Sequence, residues 1–143
     1  MTQSKFCLLS FTLFTVIGCA SASYAEQADS HMPCQADKAR LEIRSKELTA
    51  IVQADQDDRK NWERKTEGEM IEIAKRDVVR RKRVGEIFGE GCFSKSSDYY
   101  AAALVYQHGD TPDHFFQTFV WSKRAVELGD PSQKRLMALG IDR

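Results

Sequence analysis

Eight consecutive residues without a charge, Tyr99-Tyr100-Ala101-Ala102-Ala103-Leu104-Val105-Tyr106, constrain this chain more than any other feature. A helix that is apolar on every side belongs inside a protein, so the run predicts a central helix around which the others pack. It ends in Gln107, His108 and Gly109. The last turn of a buried helix would then carry two polar side chains that need partners or a purpose. Ser96 or Ser97 offers a cap at the other end, with Asp98 in the first turn, where the helix dipole favours an acid.

The flanking segments are patterned to cover such a helix. After Pro33, the residues Leu41, Leu48, Val52, Asp55, Arg59 and Trp62 advance by three, four or seven and so share one helical face, which Ile51 widens. Asp55 and Arg59 therefore lie in line with apolar residues. The pattern falters over Lys65 to Gly68. A second helix is expected from Glu69 to Phe88 on a stripe of Met70, Ile71, Ala74, Val78, Gly85 and Phe88, with Val84 and Ile87 alongside. Gly89 and Gly91 close it. Lys75, Arg76, Arg80, Arg81, Lys82 and Arg83 make it basic, but they wind around the helix, and Asp55, Asp57 and Asp58 stand ready on its neighbour. A solvated or salt-bridged face follows rather than a nucleic-acid site. Thr111-Pro112-Asp113 starts a further helix with Thr as cap and Pro first, burying Phe115, Phe116, Phe119, Val120 and Val126. Asp130-Pro131 repeats that signal for a last helix through Leu136, Met137 and Leu139. No segment alternates like a strand, so the fold class is all-α, a small helical bundle.

The chain has 143 residues, 42% hydrophobic and 29% charged, enough for one domain with a core. Its formal net charge is zero, which builds in no pull toward nucleic acid. Lys5 is the only charge in the first 25 residues and precedes an apolar run from Phe6 to Ile17, the pattern of a secretory signal. Val16-Ile17-Gly18-Cys19 resembles the bacterial lipobox, which would make 1–18 the signal peptide and Cys19 a lipidated N-terminus anchored to a membrane. Ala20-Ser21-Ala22 and Ser23-Tyr24-Ala25 equally suit ordinary signal peptidase, with 1–25 removed and a soluble periplasmic product. Either way a polar tether through residue 32 precedes a helical domain over 33–143, and the chain is expected in the periplasm or on the outer membrane. Cys34 and Cys92 remain in both cases. In an oxidising compartment they are expected to form a disulfide, with two buried thiols as the alternative.

Two resemblances add to this reading. Ala101 to Asp130, with Tyr106, Gly109, Trp121, Lys123, Ala125 and Leu128-Gly129-Asp130, resembles one unit of the Sel-one-like repeats, relatives of tetratricopeptide repeats. That implies a local antiparallel helix hairpin of a kind used mostly for protein binding. Asp55-Gln56 with Arg59, then Val105-Tyr106-Gln107-His108, then Asp142-Arg143, resembles an uncharacterised bacterial family of often exported proteins. Its signature is Asp-Gln-x-x-Arg, then Val-Gln-His, then Asp-Arg; Tyr106 interrupts the second element here. The resemblance implies a glycine-containing tail beyond Asp-Arg, so the chain would be truncated at its C-terminus or its last helix would dock without a successor. It marks Asp55, Gln56, Arg59, Gln107, His108, Asp142 and Arg143 as site residues and brings no activity with them.

Residues and resemblance converge on Asp55, Arg59, Gln107 and His108. Asp55 and Arg59 have the spacing of a helical ion pair, and burying the pair requires partners for every remaining donor. Gln107 and His108 could supply them. One outcome is a structural clasp between the first helix and the central hairpin; another is a small pocket for an anionic or amide ligand. A third is catalysis with His108 as base, though no nucleophile stands at a recognisable spacing. His108 and His114 are six apart, unlike paired helical metal ligands, and Asp55-Gln56-Asp57-Asp58 lacks the glycine and glutamate of a calcium loop; no metal or cofactor is expected. The functional expectation is an exported helical domain that binds a protein or a small ligand in the cell envelope, for instance an inhibitor or immunity-type lipoprotein. The alternative is a small hydrolase-like enzyme using Asp55, Arg59 and His108.

Overall fold

The central helix is present as read. In α3 (Ser96–Gln107), Ala101, Ala102, Ala103 and Val105 are buried, and Tyr99, Tyr100, Leu104 and Tyr106 are half-buried against the same core. The structure is a computed structural model describing residues 34–142, and all regular structure among them is helical. The proposed signal segment, Cys19 and Arg143 lie outside the described residues. The other long elements are α1 (Lys38–Asp58), α2 (Glu67–Gly89) and α4 (Pro112–Glu127), and a short α5 (Lys134–Ile141) ends the bundle. Thr66 caps α2 in a reciprocal box with Glu69, and Thr111 caps α4 with Pro112 in its first turn.

Side-chain bonds fix the register. Ser45 donates to Asp98 and Asp55 meets His108, each pair 53 residues apart, so α1 runs parallel to α3. Glu47 meets Arg83 and Asp58 meets Arg76 and Arg80, so α2 runs antiparallel to α1. α4 folds back on α3 as a helix hairpin, where the Thr118 hydroxyl donates to the Ala103 carbonyl. α5 crosses α4 at Gly140, where a Cβ would stand 2.7 Å from the Phe119 nitrogen and 2.9 Å from the Phe115 oxygen. Cys34 and Cys92 are both fully buried and form a disulfide that ties the start of the described chain to the α2–α3 connection.

Two expectations of facing and one of capping are corrected. On α2 the buried residues are Ile73, Asp77, Arg81, Val84 and Ile87, whereas Ile71, Val78 and Phe88 are exposed. The helix is rotated because α1 offers it carboxylates: burying Asp77 and Arg81 and pairing Arg76, Arg80 and Arg83 satisfies charges on both helices. On α4, Phe116 and Val120 are exposed, while Thr118, Trp121, Ser122 and Ala125 face inward. Small residues of α4 fit against the alanines of α3, as where Thr118 meets Ala103, and the one large inward side chain, Trp121, packs on the rings of Phe88, Phe93 and Tyr106. At the start of α3 neither serine is the cap. The helix begins at Ser96 with Lys95 in the cap position, and Asp98 fixes that start by accepting from the Ser94 and Lys95 amides and from the Ser45 and Ser94 hydroxyls.

Candidate functional site

Asp55, in the last turn of α1, is fully buried. Its carboxylate meets Arg59 Nη1 at 3.1 Å and His108 Nδ1 at 3.0 Å, and it accepts from Gln56 Nε2 at 2.8 Å. Arg59 is the residue just past α1. Its Nη1 also donates to the Asp55 carbonyl, and Nη2 reaches Asp77 Oδ2 at 2.7 Å. Asp77 passes the network on to Arg80 at 2.9 Å, and Arg80 pairs with Asp58, which Arg76 holds from its other side. Hydrogen bonds from Arg76, outweighing the cost of burial and joined by Arg80, keep the Asp58 carboxyl well below the usual carboxylate range. Within this network each charge thus meets an opposite one, the condition under which buried ions are tolerated.

His108 ends α3 and is itself held from two sides. Arg81 Nη1 donates to its carbonyl at 2.9 Å, satisfying a group left over at the helix terminus. The Tyr106 hydroxyl donates to the Arg81 carbonyl at 3.2 Å, and burial pushes that phenol's pKa up. Gly109 permits the turn into α4: a Cβ there would fall 2.3 Å from the His114 Cβ. Asp55, when ionised, only accepts, so the hydrogen bond between them uses a proton on His108 Nδ1 and leaves the second ring nitrogen, Nε2, outside it.

His108 lines an open cleft of about 370 Å³ together with Arg59, Trp62, Asp77 and Gly109. Trp62 is not on the inward face of α1 as its spacing suggested; it is 43% exposed. α1 stops at Asp58, Asn61 takes a left-handed conformation (φ 55°), and the following turn of 3-10 helix (Trp62–Arg64) carries the indole out to the cleft.

The structure therefore brings together Asp55, Gln56, Arg59 and His108 and leaves the other expected members apart. The Gln107 side-chain oxygen is buried without a hydrogen bond, so it does not serve the Asp55–Arg59 pair. Asp142 is exposed at the end of α5, and among the described residues no hydrogen bond or ion pair links its carboxylate to the cluster. Sequence reasoning missed Asp77, Arg80 and Arg81 as neighbours. Their signal was the same as that of Asp55, charged residues recurring at helical spacing with Ile73, Val84 and Ile87. Comparison with protein-family models, with curated proteins and with solved structures gave no match.

Proposed function

We propose that the chain is a helical binding domain of the bacterial cell envelope whose recognition site is the cleft at Trp62 and His108. One observation carries this reading: an imidazole anchored through Nδ1 to a fully buried carboxylate lines an open cleft beside an exposed tryptophan. A clasp serving stability alone needs neither the cleft nor the indole, while a binding site uses a few well-fixed polar groups on a concave surface. The export pattern of the first residues supports an envelope location, with either a lipid on Cys19 or a free start after Ala25. In the protein-binding form, an inhibitor or immunity-type lipoprotein, the cleft receives a group from the masked partner.

The test is a photo-crosslinking amino acid placed at position 62 in cells carrying the full chain. A discrete adduct that disappears with His108→Ala supports the proposal; irradiation giving no adduct, or one indifferent to His108, speaks against it. A second reading, a small hydrolase, draws on the same Asp55–His108 arrangement, which suits a general base. The lining residues include no hydroxyl or thiol, so water would be the nucleophile. Turnover of a bound ligand, lost in His108→Gln while binding persists, would select catalysis.

A further inference from the structure

The groups on the cleft wall are already paired, and that decides what kind of ligand they can take. The Arg59 guanidinium meets two carboxylates and a carbonyl. It has no charge left to neutralise an anion, which argues against an anionic ligand, one of the two ligand classes that the sequence left open for a pocket. Both Asp77 oxygens already hold arginines, and Arg59 and Arg80 would repel an incoming cation. Across the cluster Asp55, Asp58 and Asp77 balance Arg59, Arg76 and Arg80. A ligand bringing either charge would find no uncompensated opposite charge in the cluster to offset its own desolvation.

What stays available is polar but neutral. His108 offers its second ring nitrogen, the Asp77 oxygens have second lone pairs, and a guanidinium with five N–H groups keeps donors beyond the three contacts it makes. A hydroxyl, which donates and accepts, matches that mixture better than a pure donor or acceptor. Beside these groups Trp62 presents a broad apolar face with a polar tip. A polyhydroxylated ring has the complementary surface, C–H groups on one face and hydroxyls around the rim. The volume of about 370 Å³ lies at the small end of ligand sites, suited to one or two such rings.

We infer that the cleft binds a neutral saccharide, its ring stacked on Trp62 and its hydroxyls shared between His108 and Asp77. This rests on the proposed binding role of the cleft and supplies the ligand class. The test is a titration of the 15N-labelled full chain with glucose, N-acetylglucosamine and its β-1,4-linked dimer. Phosphate, acetate, arginine and nicotinamide serve as charged or planar comparators. The indole N–H signals of Trp62 and the buried Trp121 are followed. The expected result is a saturable shift of Trp62 with at least one sugar, Trp121 unmoved, and binding at least tenfold weaker in Trp62→Ala at an unchanged melting temperature. Sugar binding that survives Trp62→Ala overturns the assignment. A Trp62 shift saturated only by a comparator overturns the saccharide class and leaves the cleft as a binding site. Trp62 and His108 signals unmoved by every probe, together with no crosslink at position 62, overturn both.

Discussion

Replacing Arg59 by alanine removes the guanidinium that joins the end of α1 to α2. The Arg59 side chain is 18% exposed and that of Asp55 is not exposed at all, so the pair falls among buried ion pairs, where removing one partner costs about 3–5 kcal/mol. Asp55 keeps His108 and Gln56, and Asp77 keeps Arg80, so neither carboxylate is orphaned and the lower end applies, about 3 kcal/mol. At about 4 °C per kcal/mol for a domain of this size, the midpoint of thermal unfolding should drop by about 12 °C at neutral pH. Lys60→Ala is the control. Its pair with Asp57 is largely exposed and screened by solvent, so the midpoint should not move measurably. Combining Arg59→Ala with Asp55→Asn should cost less than the sum of the two, with a coupling of about 1–2 kcal/mol. An Arg59→Ala protein melting within about 2 °C of the parent, or strict additivity with Asp55→Asn, would refute the reasoning that these charges are buried and mutually dependent.

Other consequences follow from the packing. Converting Cys34 and Cys92 to alanine opens a loop spanning 58 residues and should lower stability by about 4 kcal/mol in the chain-entropy model, measured by urea unfolding. Gly140→Ala forces a methyl group against α4 backbone and should cost about 1–3 kcal/mol, whereas alanine at Gly68, with open space around it, should not be destabilising. Acid should weaken the α1–α2 seam. Asp58 and Glu47 are held below their ordinary pKa by arginines, and Glu90 is too, because Arg44 and Arg40 more than offset the effect of its burial. A depressed folded-state pKa gives stability that is complete above the unfolded value, about 4, and is lost as pH falls through the folded value. Unfolding midpoints should therefore be flat above about pH 5 and fall steeply below about pH 4; a protein equally stable at pH 3 and pH 7 would contradict this.

The all-helical fold, the hub α3 and the α4 start at Thr111-Pro112 were legible because each rests on local chemistry: a long uncharged run, a capping residue, a proline. Which side of α2 and α4 faces inward was not. Hydrophobic periodicity scores Ile71, Val78 and Phe116 as core, but α2 is turned by the acids of α1 and α4 by the alanines of α3, and both are properties of a neighbouring helix. The site divides the same way. Asp55, Arg59 and His108 stood out because a charge in an apolar stripe and a polar end to an apolar helix are anomalies within one segment. Asp77 and Arg81 were hidden by a helix so rich in charge that two more residues carried no contrast. The place of Trp62 depends on the left-handed turn at Asn61, which no periodicity predicts.

Charged groups of α1 turn inward to meet the end of α3, and the most direct test is the proton on His108 Nδ1, read from long-range 1H–15N correlations of its imidazole. A ring fixed on the Asp55 carboxylate should hold a proton on Nδ1 across the pH range in which the protein is folded, and Asp55→Asn should change the pattern. A neutral ring carrying its proton on Nε2, or a ring averaging both forms as in free histidine and indifferent to Asp55→Asn, would show that His108 does not meet Asp55.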